Sequence, residues 1–265
     1  MTVHALGIDL EDWYLDVAGA PAAPPAVAAR ALERQLAALV DLLRAADTRC
    51  TFFVLGRTAA RYPDWIRALH GAGHEIGCHG HEHRRVEALA VADLAADVAR
   101  ARDAIGAIIG AAPVGYRAPY FSLAGHPRAA DAYEALAGLG VRYSSSRADG
   151  GRPRRVATPA GPVVEIPATA WRVGGRALRV AGGGWWRLLP WPVIRAAIAA
   201  CGARDQAFAA YLHPHEFDPL PLAAAGGRWR SLRANLGRRS VPDKLRRALA
   251  QAPFGTYRAV AEAIP

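Results

Sequence analysis

The chain has 265 residues, 52% of them apolar, which suffices for a sizeable core and sets aside disorder as the default. Its formal net charge is +10, and every one of its 33 basic residues except Lys244 is arginine. No run of five or more basic residues and no nucleic-acid module signature occurs, so a nucleic-acid partner is not expected. The excess of arginine reflects either an Arg- and Ala-rich composition or attraction to phosphates, anionic glycans or a membrane face. Cys50, Cys78 and Cys201 are odd in number and far apart. That argues against a disulfide framework and fits a reducing compartment, so a cytoplasmic location is expected. Strand-like sequence begins at Val3 with no basic region and apolar stretch before it, which predicts no secretory leader. No apolar run reaches the roughly 18 residues that a membrane span needs.

"VHALGI" reads as a buried strand, and "PAAPP" (21–25) as a loop. Leu32, Leu36, Leu39, Leu42 and Leu43 recur at helical spacing over 27–46. "CTFFVLG" (50–56) is β-rich and ends at Gly56. "YPDWIRALHGAG" (62–73) predicts a helix with a glycine stop, and "HEIGCHG" a strand feeding a loop. Residues 86–110 predict one long amphipathic helix. "VGYRAPYFS" (114–122) is a strand and loop, and "AADAYEALAGLG" then "VRYSSS" repeats the helix-to-strand step. This alternation predicts a parallel sheet or barrel wrapped by helices. Beyond about residue 150 the pattern loosens. "DGGRPRR" is a turn-rich loop, "GGRWRSLRANLGRRS" (226–240) an exposed basic loop, and "PDKLRRALAQAP" (242–253) a helix opened by proline. No repeat and no flexible linker interrupts the chain, so one domain is expected over 1–265.

Two clusters carry chemistry. "GIDLEDWYLD" (7–16) places Asp9, Glu11 and Asp12 at the end of the first strand, where burying charge is costly unless something uses it. "GHEIGCHGHEHRR" (73–85) holds four of the chain's nine histidines. His79 and His83 are spaced to meet one metal from a tight loop. A solvated histidine-rich loop is the competing reading. Joined to a carboxylate at a strand end, the histidines make a site suited to Zn²⁺ or a similar divalent ion.

The blocks "GIDLED", "TFFVLG", "GHEIGCHGHEH", "GYRAPYFS" and "YLHPHE", in that order over residues 5–216, resemble the NodB-type polysaccharide deacetylases, carbohydrate esterase family 4. "AGGGWWRLLPWP" and "LHPHEFDP" look like the branch that accompanies bacterial exopolysaccharide and exosortase loci, with a family-specific extension from about residue 170. The resemblance implies an α/β fold, an irregular (β/α) barrel, and metal-dependent N-deacetylation of an amino sugar in a glycan or glycan precursor. It implies Asp9 as general base, Arg117 of "RAP" as the arginine that orients it, with Pro119 shaping that loop, and His213 as general acid. It implies His79 and His83 as metal ligands beside an acid. Most of the family writes that acid directly after the base, whereas this chain reads Asp9-Leu10-Glu11-Asp12. Residues two apart on an extended strand point the same way, so Glu11 is the expected ligand, with Asp12 in reserve. A backbone N–H near Tyr120 would help to stabilise the oxyanion.

Weaker candidates remain open. His81 and His215 are either outer supports of the site or plain loop residues. Trp185 and Trp186 either stack on sugar rings or fill the core, as do Trp171 and Trp229. Ser144, Ser145 and Ser146 have no G-x-S-x-G around them and read as a polar strand end. The resemblance implies an N-acetylated glycan or a lipid-linked glycan as partner; Trp and Arg over 182–195 and 227–239 suit a membrane interface or an anionic glycan, so peripheral contact at the inner membrane face is expected. Two rivals are hydrolysis of a cyclic imide or ureide on the same scaffold, and a glycan-binding protein without catalysis.

Overall fold

The computed structural model of the chain describes residues 2–17, 23–173, 176–224 and 227–265. The loop expected at 21–25 lies partly outside these residues, as does Gly226.

Strand β1 (His4–Leu10) is buried at every position, as a parallel strand covered on both faces must be. Its period of two sorts its side chains. Leu6, Ile8 and Leu10 enter the large core beneath the helices. Ala5 joins Phe53, Tyr143, Ala209 and Tyr257 in a separate inner core, and by alternation Gly7 and Asp9 face that same interior. Helix α1 (Pro25–Ala45) opens with proline at its first turn and buries Leu32, Leu36, Leu39 and Leu43. β2 (Thr51–Val54), α2 (Gly56–Arg61), α3 (Pro63–Gly71), β3 (Glu75–Cys78), α4 (Val91–Ile109), β4 (Gly115–Tyr116), α5 (Ala129–Gly138) and β5 (Tyr143–Ser144) continue the alternation. β6 (Arg154–Val156), β7 (Val163–Glu165), β8 (Ala170–Val173), β9 (Arg176–Arg179), α6 (Gly184–Leu188), α7 (Trp191–Gly202) and β10 (Ala209–Leu212) follow. The chain closes with α8 (Arg228–Asn235), α9 (Val241–Gln251), β11 (Phe254–Gly255) and α10 (Tyr257–Glu262).

The main sheet runs β10-β1-β2-β3-β4-β5-β7-β6, with β11 also on β1. Every pairing in it is parallel except β6 with β7. It is a curled half-barrel in a single α/β domain, because the C-terminal β10 and β11 both return to β1. The C-terminal ends of β1, β3, β4 and β10 therefore gather at one rim, where sites of such sheets form.

Three expectations change. Gly56 starts α2 rather than merely ending a strand. Residues 86–110 are two elements, a 3₁₀ turn at Val86–Ala88 and then α4, with Ala90 extended between them. Val86 is buried and its amide donates to Ser122 Oγ at 2.9 Å, so the turn is tied to the loop after β4 instead of continuing the helix. The segment 226–240 is not a loop, since α8 occupies Arg228–Asn235. Asn235 stitches α8 to Leu222 through its side-chain oxygen and nitrogen, both at 2.8 Å. Arg238 is buried rather than exposed.

Candidate active site

At the rim, β1 ends in a tight turn. The Glu11 amide donates to the Asp9 carbonyl at 3.0 Å, a three-residue turn that sends Glu11 back toward the interior. Glu11, His79 and His83 each bring a ligand atom within 4.8 Å of the others, all three buried. His79 Nδ1 donates to the Arg117 carbonyl at 2.8 Å and so aims Nε2 at Glu11 Oε1, 3.0 Å away. Such an outer partner fixes the tautomer of a ligating histidine. His83 Nε2 lies 2.9 Å from the same Oε1, yet has no hydrogen-bond partner among the described residues. Three donor atoms aimed at one point, one of them orphaned, fit a divalent cation. Burial works against ionised Glu11, but His83 and His79 outweigh it and hold the carboxyl well below the usual range. Burial likewise opposes the His83 cation, and Glu11 raises its pKa overall.

Asp12 lies apart from this set. Its Oδ1 accepts the Tyr14 amide at 3.0 Å and its Oδ2 the Tyr62 hydroxyl at 2.8 Å. It caps the π-helical turn Trp13–Val17, so the acid held in reserve as a ligand is a structural cap. Asp16 completes the brace, accepting from the Asp12 amide at 2.8 Å and pairing with Arg57 at 2.9 Å.

Asp9 and Arg117 meet at 2.5 Å, both buried. The guanidinium carbon stands 4.0 Å from the centre of the Phe53 ring and 4.7 Å from that of Tyr257. Burial lowers the Arg117 pKa, and Asp9 with the Tyr257 phenol more than restores it. Gly7 makes room: a Cβ there would lie 2.8 Å from Nη1. Ser145 supplies the remaining partners, its carbonyl at 3.3 Å and its hydroxyl at 3.1 Å. Ser146 Oγ accepts the Ala118 amide at 2.9 Å, and Glu165 accepts the Ser146 amide at 2.9 Å. The three serines are thus a scaffold for the arginine loop. The sequence reading missed Ser145 as a positioning residue, and its adjacency to a strand end was the only signal.

His213 ends β10. Its Nε2 is 3.9 Å from Asp9 and its Nδ1 3.5 Å from Glu216, and Asp9, Glu11 and His213 form a second compact group. Burial disfavours the charged ring, but Glu216, Glu11 and Asp9 push its pKa up to about 9. His215 stacks on it with centroids 5.1 Å apart, and Trp13 lies 4.6 Å beyond. Burial and the neighbouring His213 charge keep His215 neutral, its pKa well below the usual range. His215 is therefore a support of His213.

Tyr120 is half-exposed, with φ +60°, and its ring lies 4.6 Å from that of His83. Pro119 opens that turn. His81 belongs to neither ligand group. It packs where a Gly56 Cβ would come within 2.3 Å of its Nδ1. Trp186 is withdrawn as a substrate contact: it is fully buried and its indole N–H donates to the Val180 carbonyl at 2.9 Å. Trp185 remains accessible at 38% exposure. Trp171 packs partly buried against the core, whereas Trp229 is exposed.

A family model described as polysaccharide deacetylase matches residues 30–143. The chain carries a polysaccharide deacetylase domain. A second model, a domain of unknown function (DUF3473), matches residues 140–262 and takes in His213. The chitin deacetylase of Colletotrichum lindemuthianum is 37% identical over 89 residues, 32% of this chain and 36% of that protein. The chain spans about a third of the length of the curated relatives it matches. A solved structure from Mycobacterium smegmatis, of a protein assigned to the polysaccharide deacetylases, is 23% identical with TM-score 0.68, covering 100% of this chain and 91% of that one. The Puue allantoinase structure is 16% identical with TM-score 0.67 over 98% of this chain and 88% of its own. At those identities both likenesses show the fold alone.

Proposed function

We propose that the polysaccharide deacetylase domain removes N-acetyl groups from an amino sugar in a glycan or glycan precursor, with a divalent ion, Zn²⁺ by its His–His–carboxylate set, held by Glu11, His79 and His83. The observation that carries this reading is the Asp9–Arg117 pair with His213 at 3.9 Å beside the three-residue set. A bound divalent ion supplies Lewis-acid polarisation of the acetamide carbonyl and acidifies water. Asp9, aligned by Arg117, takes the proton from the attacking water. The backbone N–H of Tyr120, on the loop beside His83, would donate to the developing oxyanion. His213, with Nε2 3.9 Å from Asp9, is placed to give a proton to the departing amine. Base, orienting arginine, ligand set and acid all being present speaks against a binding protein without catalysis.

The finer reading is a lipid-linked exopolysaccharide precursor at the cytoplasmic membrane face. Its support is the exposed Trp229, Leu232 and Leu236 among the exposed Arg228, Arg230 and Arg239. Among the described residues no helix is long and apolar enough to cross a membrane.

The test is acetate release from N-acetyl sugars, glycan oligomers and lipid-linked intermediates by Zn²⁺-loaded protein, with allantoin as the ureide control. Release from an N-acetylated glycan that Asp9→Asn abolishes supports the reading. Ureide opening without acetate release overturns it.

A further inference from the structure

Next to the catalytic rim lies a cavity of about 630 Å³, walled by Trp13, Trp185, Arg187, Leu188, Arg230 and Arg233 among others. None of the described residues lining it is acidic. Apart from Trp13 and Val17, its lining residues fall within the region matched by the domain of unknown function.

Its position is fixed by the catalytic strand. The segment before α6 zips onto β10: Tyr211 donates its amide to Ala181 at 3.0 Å, and Gly183 donates to Tyr211 at 2.9 Å. Gly182 is irreplaceable here, because a Cβ would lie 1.7 Å from the Tyr211 carbonyl oxygen. Two residues beyond Tyr211, directly after the last residue of the strand, stands His213. Trp185 is thus delivered to the end of β10 that carries the acid. On the other wall, Trp13 contacts His215, which stacks on His213. Between the cavity and the acid stand the Trp13 indole of its wall and the His215 imidazole.

Its charge is built as well. Arg187 is pinned by the carbonyls of Leu236, at 3.0 Å, and Arg233, which holds α8 against α6. Arg187, Arg230 and Arg233 make the wall cationic, and burial, which lowers the Arg187 pKa, marks it as partly desolvated. Arg233 makes no side-chain hydrogen bond or ion pair among the described residues. Arg guanidinium groups recognise carboxylate or phosphate through charge-assisted, often bidentate bonds, and Trp185 offers a face for a sugar ring.

We propose that this cavity is an anion subsite. It binds a carboxylate- or phosphate-bearing part of the substrate adjoining the N-acetylated sugar, and so selects acidic glycans over neutral ones. The proposal rests on the deacetylase reading of the neighbouring site, but its test contains no chemical step. Zn²⁺-loaded protein is titrated by calorimetry with a neutral chitin tetrasaccharide, with a hyaluronan tetrasaccharide of equal length, and with inorganic pyrophosphate. The titrations are repeated with Arg233→Gln and Arg230→Gln/Arg233→Gln. The acidic tetrasaccharide should bind at least tenfold tighter than the neutral one, and the double variant should erase that difference while leaving the neutral ligand unchanged. Competition by pyrophosphate would assign the anion to a phosphate-linked precursor, and its absence to a sugar carboxylate. Equal binding of the two tetrasaccharides by the parent overturns the subsite, as does a preference that survives the double substitution. Loss of acetate release with the binding preference intact would instead count against the deacetylase reading alone.

Discussion

At the scale of single residues, three carboxylates within four positions receive three different jobs from their hydrogen bonds. Asp9 faces Arg117, Glu11 faces two imidazoles, and Asp12 caps a turn. Asp9→Asn should keep full zinc occupancy, read by metal analysis, while kcat falls by about 10²- to 10⁴-fold. Glu11→Gln should lose metal instead, as should His79→Ala and His83→Ala. Metal loss confined to Asp12→Asn would overturn the assignment. His213 carries a pH signature in the metal-free protein. Its folded pKa, about 9, lies above the ordinary 6.5, so its stabilisation is fully present below about pH 6.5 and is lost as pH rises through about 9. Urea unfolding of metal-free protein should lose on the order of 3 kcal/mol across that window, and His213→Gln should flatten the loss.

At the scale of elements, glycines decide how closely functional side chains approach the backbone. Gly7 on β1 gives Arg117 its place, since a methyl group there would lie 2.8 Å from Nη1 and 2.9 Å from the Tyr257 ring. Gly7→Ala should displace the arginine from Asp9 and lower kcat by about tenfold or more, with zinc affinity unchanged. Gly71, in the last turn of α3, meets nothing within 4 Å. Gly71→Ala should raise stability by up to about 1 kcal/mol with activity unchanged, measured by thermal melting beside the Gly7 variant. The contrast separates a glycine needed for close approach from one that only loosens a helix.

At the scale of the whole molecule, the arginines divide into two populations. Arg238 is 2% exposed and donates to the backbone carbonyls of His215, Asp218 and Leu220. It ties the segment after His213 to the C-terminal helices. Arg238→Gln should cost about 3 kcal/mol, because buried carbonyls lose their donors, and chemical denaturation reads it. Arg228, Arg230, Arg233 and Arg239 are exposed. Replacing those four with glutamine, Arg238 retained, should abolish co-sedimentation with anionic vesicles at low salt. The parent should bind anionic but not neutral vesicles, and release them near 1 M salt, where the Debye length falls to about 3 Å. Failure of the parent to bind at low salt would exclude the membrane-face reading.

What the sequence determined by itself was whatever depends on residue type and short spacing. The alternation of strands and helices through residue 144 was legible, because periods of two and of 3.6 are local properties of the chain. The acids, histidines, Arg117 and His213 were legible as candidates, because chemistry of that kind needs those side chains. Tertiary structure decided what depends on partners far along the chain. The turn at Leu10 lets Glu11 join Asp9 in the interior, and a hydroxyl fifty residues away, on Tyr62, claims Asp12. Trp186 and Arg238 are buried against distant partners, the Val180 carbonyl for the indole and the His215, Asp218 and Leu220 carbonyls for the guanidinium, although their neighbours Trp185 and Arg239 stay exposed. Composition treats each of those pairs alike. Only long-range packing, which removes one member from water and leaves the other in it, makes the distinction.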